Sequence, residues 1–192
     1  LREREQAEQN NKTKQLLRKY SNRIYHHPMS PYTGNKKGDV TLVEFFDYQC
    51  GYCKQVTESI IKLVKNDKSL RVVWKELPIL GQTSLDAATA AMASRKQGKY
   101  LDFHIALMNN RGGLNRQSIL KIARRVGINT AKLEKDMTDP AIRTYLEETT
   151  KLAQQLGIKG TPGFIIGEKI VPGAVSLKQL KKFIETERNR RK

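Results

Sequence analysis

The sequence predicts an α/β domain that is interrupted by an all-helical insertion and preceded by an N-terminal helix. Three observations carry that prediction. A run of β-branched and aromatic residues, Val40 to Phe46, leads into a helix-spaced stretch and then a second apolar strand, Leu70 to Lys75. Helical patterns fill residues 84–156. Beyond Gly157 the sequence reverts to short apolar runs punctuated by Gly and Pro. With 192 residues, the chain can bury a sizeable apolar core.

The segments fall in order as 1–30, a helical extension; 31–83, the first part of the α/β domain; 84–156, the insertion; and 157–192, the second part. In the extension, Leu16, Leu17, Tyr20 and Ile24 make a modest apolar stripe among Lys12, Lys14, Arg18, Lys19 and Arg23. That stripe serves either to join copies of the chain or to fold back on its own domain. In the helix after Phe46, Val56, Ile60, Leu63 and Val64 recur at helical spacing. Strand, helix and strand make a βαβ unit, for which a right-handed crossover and parallel pairing are expected. In the insertion the helices span 84–97, 100–108, 116–126, 130–137 and 140–156. Leu85, Ala88, Met92 and Ala93 are expected inside, and Pro140 suits a first-turn position. After Gly157, Phe164 to Ile166 reads as a strand, Gly167 to Lys169 as a hairpin turn, and Ile170 to Gly173 as an edge strand. Ser176 caps a last helix bearing Leu177, Leu180, Phe183 and Ile184. Its end, Arg188 to Lys192, reads as a solvated basic tail.

The chain holds two cysteines, Cys50 and Cys53, in Cys50-Gly51-Tyr52-Cys53-Lys54. A bridge between them closes too short a loop to stabilise the fold appreciably, so their spacing calls for a chemical reason. Structural zinc would need further ligands from His26, His27 and His104, of which two are adjacent and the third lies among apolar residues. Covalent haem attachment needs His where Lys54 stands. A redox dithiol fits best, against the bland reading of two unreactive core thiols. The pair sits where a strand ends and a helix begins, so unpaired first-turn amides point at Cys50 and favour its thiolate. Cys50 is then expected at the surface and Cys53, one turn on, more buried.

Glu44 lies inside an apolar strand, six residues before Cys50. Two readings stay open. It is a buried acid that takes the proton of Cys53, or it is ion-paired to a neighbouring strand, for instance to Lys75. At Thr161-Pro162, flanked by Gly160 and Gly163, a cis bond would leave the Thr161 amide and carbonyl free to pair with a passing peptide. From the residues alone the isomer stays open.

The stretches Leu42 to Lys54 and Gly160 to Gly167 together resemble the DsbA-like thiol–disulfide oxidoreductases, which have a thioredoxin-like fold with an all-helical insertion. The resemblance covers roughly 31–187. It implies that Cys50 is the nucleophile, Cys53 the resolving thiol, Glu44 the buried acid and Thr161–Pro162 a cis-proline loop beside them. Gly51, Tyr52 and Thr161 become the residues facing a client. The best-known periplasmic oxidase of the family has Pro-His between its cysteines. Gly51-Tyr52 supplies no such charge, which implies a less oxidising pair and resembles the copper-tolerance-associated and isomerase-like branch. Several isomerase-like relatives carry an N-terminal helix that joins subunits. The implied activity is disulfide exchange, as oxidase and/or isomerase, with cysteine-containing unfolded or misfolded proteins in the periplasm or outside the cell. A membrane redox partner resets the cysteine pair, and no metal or organic cofactor is required. A non-catalytic chaperone or peptide-binding module is the alternative.

The net charge of +17 raises a nucleic-acid role. Its excess is concentrated at the ends: nine basic against three acidic residues over 1–38, and again over 157–192, but six against five over 39–75. No nucleic-acid motif accompanies it, so a solvated face or loose attraction to anionic surfaces explains it better. No stretch reaches 18 uncharged apolar residues, which excludes a membrane-spanning helix. The chain opens Leu1-Arg2-Glu3-Arg4-Glu5, without an initiator Met or a visible signal peptide, and this start says nothing about compartment.

Overall fold

A computed structural model describes residues 2–173 and 175–191. The βαβ unit forms as its sequence pattern requires. Strand β2 (Val40–Phe46), helix α3 (Gly51–Asn66) and strand β3 (Leu70–Glu76) give a parallel pair in register from Val40↔Leu70 to Phe46↔Glu76. Strand β1 (Tyr32–Gly34) adds antiparallel to β3. This strand has no sequence signal because it is three residues long, too short to show a period. Gly34 is required there: at φ 86° a Cβ would strike the Leu70 carbonyl and the Val64 side chain. Strands β4 (Gly163–Ile166) and β5 (Lys169–Pro172) form the expected hairpin, with β5 at the edge and Gly167 at φ 58° in the turn. The sheet order is β1-β3-β2-β4-β5, so the strand that leads to the cysteines is central.

Alternation along β2 divides the core. Leu42 and Phe46 face one layer with Val72, Trp74, Phe164 and Ile166, closed by Val56, Ile60, Leu63 and Val64 of α3. Val43 and Phe45 face the other, with Val73 and Ile165, closed by Leu152, Ala153 and Leu156. Those last three lie at the end of the insertion or just past it. The insertion comprises α4 (Gln82–Ser94) with a 3₁₀ turn to Gln97, α5 (Tyr100–Asn109), α6 (Arg116–Arg125), α7 (Thr130–Asp136) and α8 (Pro140–Gln155). Its last helix spans both core layers, burying Ile142 and Tyr145 in one and Leu152 in the other. Pro140 sits in the first turn of α8, capped by Asp139. Leu85 does not turn inward. It is 37% exposed, because α4 buries its alanines and Met92 and leaves Leu85 on the outer stripe with Thr89.

The N-terminal extension forms α1 (Arg2–Lys19) and α2 (Ser21–Tyr25). Its apolar stripe folds back on its own domain: Leu17 and Ile24 are buried against the second sheet face, with Leu16 and Tyr20 packed beside them. Residues 2–12 are exposed.

Helix α9 (Leu177–Arg190) opens with a Ser176–Gln179 capping box. The expected basic tail is exposed at Asn189, Arg190 and Arg191, but Arg188 is half-buried and the tail's arginines are ion-paired. Arg188 grips both carboxylate oxygens of Asp39 at 2.6 and 2.8 Å and reaches Asp67 Oδ2 at 3.0 Å, tying α9 to the start of β2 and the end of α3. Arg190 and Arg191 pair with Glu187, whose carboxyl they hold below its usual range against the opposing effect of burial. Asp39 and Asp67 are distant in sequence, so only the fold brings them to Arg188. Lys192 lies outside the described residues.

Removing Ile24 from its fully buried site empties space beneath the sheet. Ile24→Ala is expected to destabilise the protein by about 3 kcal/mol in urea unfolding, whereas Gln9→Ala on exposed α1 changes stability by less than about 0.5 kcal/mol.

Candidate active site

Cys50 is itself the N-cap of α3. Its backbone is extended (φ −77°, ψ 114°), and its Sγ accepts the Cys53 amide N–H at 3.2 Å, where a Ser or Asp oxygen commonly sits. Both thiols are free. A hydrogen bond from the Cys53 thiol, backed by contact with Thr161 and the amides of Cys53 and Tyr52, brings Cys50 down to about 6 against the opposing effect of burial. The same bond drives Cys53 in the opposite direction, well above a free thiol, and burial and the Glu44 charge add to it. The two sulfurs are therefore strongly unlike.

Cys50 departs from expectation in exposure. It is 5% accessible, and Cys53 is wholly buried. Thr161 closes over it: the Cys50 thiol donates to the Thr161 carbonyl at 3.4 Å. That carbonyl is thus engaged while Cys50 carries its proton. The Thr161–Pro162 bond is cis, and the Pro162 carbonyl accepts the Gly173 amide at 2.9 Å, which holds the loop to the sheet edge. Gly163 is needed behind it, since a Cβ would come within 2.8 Å of Ile158. Gly51 is exposed, and Tyr52, 63% accessible, projects from the helix start. From Thr161 a groove of about 960 Å³ runs along β5, with Gln9, Asn10 and Thr13 of α1 forming its far wall.

Glu44 is fully buried, and neither of its oxygens has a hydrogen-bond partner among the described residues. Burial, with the charges of Cys50 and Glu76, pushes its carboxyl well above the usual range. An ion pair with Lys75 does not form. The register sets Glu44 beside Trp74 and sends Lys75 to the other face, where its ammonium donates to the Arg23 carbonyl at 2.5 Å and to Ser30 Oγ at 2.7 Å. Desolvation lowers that ammonium to about 7.

Sequence reasoning did not single out several residues that hold the site. Asp47 directly follows β2 and accepts four hydrogen bonds, from the amides of Gln49, Ile79 and Leu80 and the hydroxyl of Ser84, at 2.7–3.0 Å. It clamps the Cys50 turn to the loop that opens the insertion. An Asp two residues before an unpaired amide at a strand end is the signal that could have found it. Lys54 runs inward, donating to the Leu107 and Asn110 carbonyls at 3.0 and 2.9 Å, and so caps the end of α5. Glu76 ends β3 fully buried, as unusual in its strand as Glu44 is in β2. His104, far from a metal ligand's setting, packs among Phe46, Trp74 and Tyr100 and is held down to about 3, hence neutral.

A family model of the DSBA-like thioredoxin domain matches residues 41–185. A thioredoxin-like oxidoreductase from Silicibacter pomeroyi DSS-3 superposes with a TM-score of 0.85 at 43% identity, covering 88% of this chain and 97% of that one. The thiol-disulfide exchange protein alpha-DsbA2 from Wolbachia pipientis gives 0.87 at 34% identity, covering 93% and 97%. The architecture is accordingly thioredoxin-like, with a helical insertion and an N-terminal helix. Among curated relatives, the Na(+)/H(+) antiporter NhaA 1 of Salinispora arenicola is 26% identical over 149 residues, 77% of this chain and 23% of that protein. The chain spans about a quarter of the length of the first such relatives. Among the described residues, no helix is long and apolar enough to cross a membrane.

The low-lying Cys50 thiol gives a direct check. Iodoacetamide alkylation of the reduced protein is expected to rise with pH about a midpoint near 6 and to be complete at Cys50 before Cys53 reacts. A midpoint near that of an ordinary thiol, about 8.5, would contradict the geometry.

Proposed function

The chain belongs to the family of DSBA-like thioredoxin domains, whose chemistry is thiol–disulfide exchange, and we propose that it exchanges disulfides in cysteine-containing unfolded or misfolded proteins through Cys50 and Cys53. One observation carries the assignment of roles: the helix-capping position of Cys50, which makes its sulfur both the better leaving group and the ready nucleophile. Glu44 exchanges the proton of Cys53, and the Thr161–Pro162 loop, with Gly51 and Tyr52, receives the client.

As an oxidase the pair begins disulfide-bonded. A client thiolate attacks Cys50 sulfur, the Cys50–Cys53 bond breaks, and its electrons leave on Cys53, which takes a proton from Glu44. A second client thiolate then attacks the client sulfur of the mixed disulfide, forming the client disulfide and releasing Cys50 as thiolate. As an isomerase, reduced Cys50 attacks a client disulfide and expels one client thiolate. Another client cysteine resolves the adduct. If none does, Cys53 passes its proton to Glu44, attacks Cys50 sulfur, and frees the client reduced. Loss of the Cys50 proton also removes the donor that occupies the Thr161 carbonyl among the described residues, so ionisation of the nucleophile opens the loop to a client backbone.

The proposed setting is the periplasm or another extracytoplasmic space, with a membrane redox partner resetting the pair. For assembly with other copies, the free part of the N-terminal helix is residues 2–12, since Leu17 and Ile24 are already enclosed. If copies join through it, removal of 2–12 yields a monomer by light scattering with Cys50 reactivity unchanged.

Cys50→Ser is expected to abolish exchange on a reduced, unfolded client, and Cys53→Ser to accumulate mixed disulfide on gels. Glu44→Gln should slow the steps in which Cys53 attacks or departs on the order of a hundredfold, the lower end of general acid–base contributions, while leaving attack by reduced Cys50 on a client disulfide intact. Cellular function that survives Cys50→Ser unchanged would favour a binding module instead.

A further inference from the structure

Beneath the cysteines lies a second buried acid that the exchange steps leave without a role. Glu76 stands beside Phe46 in the parallel register, one pleat beyond Glu44 on the same face of the sheet. Its Oε1 accepts the Tyr48 hydroxyl at 3.0 Å and the Tyr100 hydroxyl at 2.8 Å. The Tyr48 oxygen is also 3.0 Å from Nδ1 of His104. A phenol has one proton, and Tyr48 gives it to Glu76, so His104 carries its own proton on Nδ1 and donates to Tyr48. The chain of donors therefore runs His104 to Tyr48 to Glu76, joined there by Tyr100. Burial pushes the Glu76 carboxyl well above the usual range, and Oε2 has no partner among the described residues; the two hydroxyls that converge on Oε1 work against that effect and favour the charged form, a support Glu44 lacks.

Glu44 has no such donors among the described residues. Two acids on one face of a dry core are thus built unlike: Glu76 with a prepared set of donors, Glu44 bare and near Cys53. Like charges so placed titrate as a pair, and the better solvated member takes the charge first. Other groups within electrostatic reach are Asp47 at the end of β2, Cys50, Cys53 and Lys54 of α3, and Tyr145 of α8. Lys75 is on the opposite face of the sheet.

We propose that Glu76, fixed by Tyr48, Tyr100 and His104, is a positioning residue for thiol–disulfide exchange: its buried negative charge raises the proton affinity of Glu44 and so sets the pH at which Cys53 can act. Cys53 holds its proton tightly, and an ordinary carboxylate would be too weak a base to receive it. A neighbouring anion makes Glu44 a base better matched to that thiol. This role rests on Glu44 being the proton acceptor proposed above.

The test uses the full chain carrying a 5-thio-2-nitrobenzoate group on Cys50. Attack by Cys53 forms the Cys50–Cys53 disulfide and expels the coloured thiolate, and its rate is followed from pH 4 to 9. The rate is expected to rise about the midpoint of Glu44. Glu76→Gln should lower that midpoint by about one pH unit, the effect of losing a nearby like charge. It should also lower the plateau, and leave the alkylation midpoint of Cys50 in place. In a Glu44→Gln background, Glu76→Gln should cause no further shift. An unshifted midpoint in Glu76→Gln, with Glu44→Gln altered, overturns the role of Glu76 and spares that of Glu44. An equal shift in the Glu44→Gln background also overturns it. A Glu44→Gln profile identical to wild type removes both roles. Should Glu76→Gln not fold, Tyr100→Phe removes one donor to the same oxygen; a smaller shift in the same direction supports the proposal and none overturns it.

Discussion

The hydrogen bond from the Cys53 amide to Cys50 sulfur is the interaction on which the site depends. It exists because a central strand ends one short turn before a helix begins, and because the helix starts at a cysteine. Much of the surrounding structure serves to keep that junction in place. Strands on both sides hold β2, and Val56, Ile60 and Leu63 seat α3 against it. Asp47 ties the turn to the loop before α4, while Lys54 ties the first turn of α3 to the end of α5. The helical insertion is thereby a support of the active site as well as a cover for the sheet. A shift of α3 along its axis would separate the amide from the sulfur and return Cys50 to the behaviour of an ordinary thiol.

The second organising feature is the unlikeness of equivalent groups. Two thiols three residues apart are driven in opposite directions, because one caps the helix while the other is buried beside Glu44. Two glutamates on one sheet face differ in the same way, one supplied with hydroxyl donors and one with none. Both asymmetries come from position: the helix start is the polar end of the site, and the sheet beneath it is the dry end. In the exchange proposed for this site, a proton moving between Cys53 and Glu44 stays within the dry end. That shelters it from solvent and ties the exchange reaction to groups that water does not reach.

What was legible in the sequence was whatever local spacing determines. The β2–α3–β3 unit, the Ser176 cap, Pro140 in its first turn and the edge position of β5 follow from patterns a few residues long. Glu44 was conspicuous as a charge in an apolar strand, but its partner was not decidable. Register alone turned Lys75 to the opposite face, and register is a property of two strands. The same holds for Arg188, which read as part of a solvated tail until Asp39 and Asp67 were brought to it. Leu85 was misplaced because α4 is enclosed on most sides by alanines, so the largest side chain is not the most buried one. Cys50 was expected at the surface from its place at a helix start. The loop that covers it comes from more than a hundred residues away. Glu76 could have been flagged by the reasoning applied to Glu44, but its donors Tyr48 and Tyr100 converge only in the folded chain.

Gly51-Tyr52 raises the question of how oxidising the pair can be without a charged residue between its cysteines. Tyr52 points to solvent, and what it gives Cys50 is a backbone amide. The thiolate is therefore stabilised by the backbone and by Cys53, groups that any dipeptide without proline at position 52 would preserve. Because the folded thiol lies at about 6 and an unfolded one near 9, the folded reduced protein holds fewer protons between those values, and its stability rises with pH across them. The benefit is complete above about 9 and is lost as the pH falls through about 6. The disulfide form has no such thiol to ionise. Stabilisation of the reduced form at neutral pH thus makes the disulfide a readier acceptor of electrons, and the fold alone supplies it. A histidine between the cysteines would add to that stabilisation without creating it, so replacing it with tyrosine moderates an oxidant and does not abolish one.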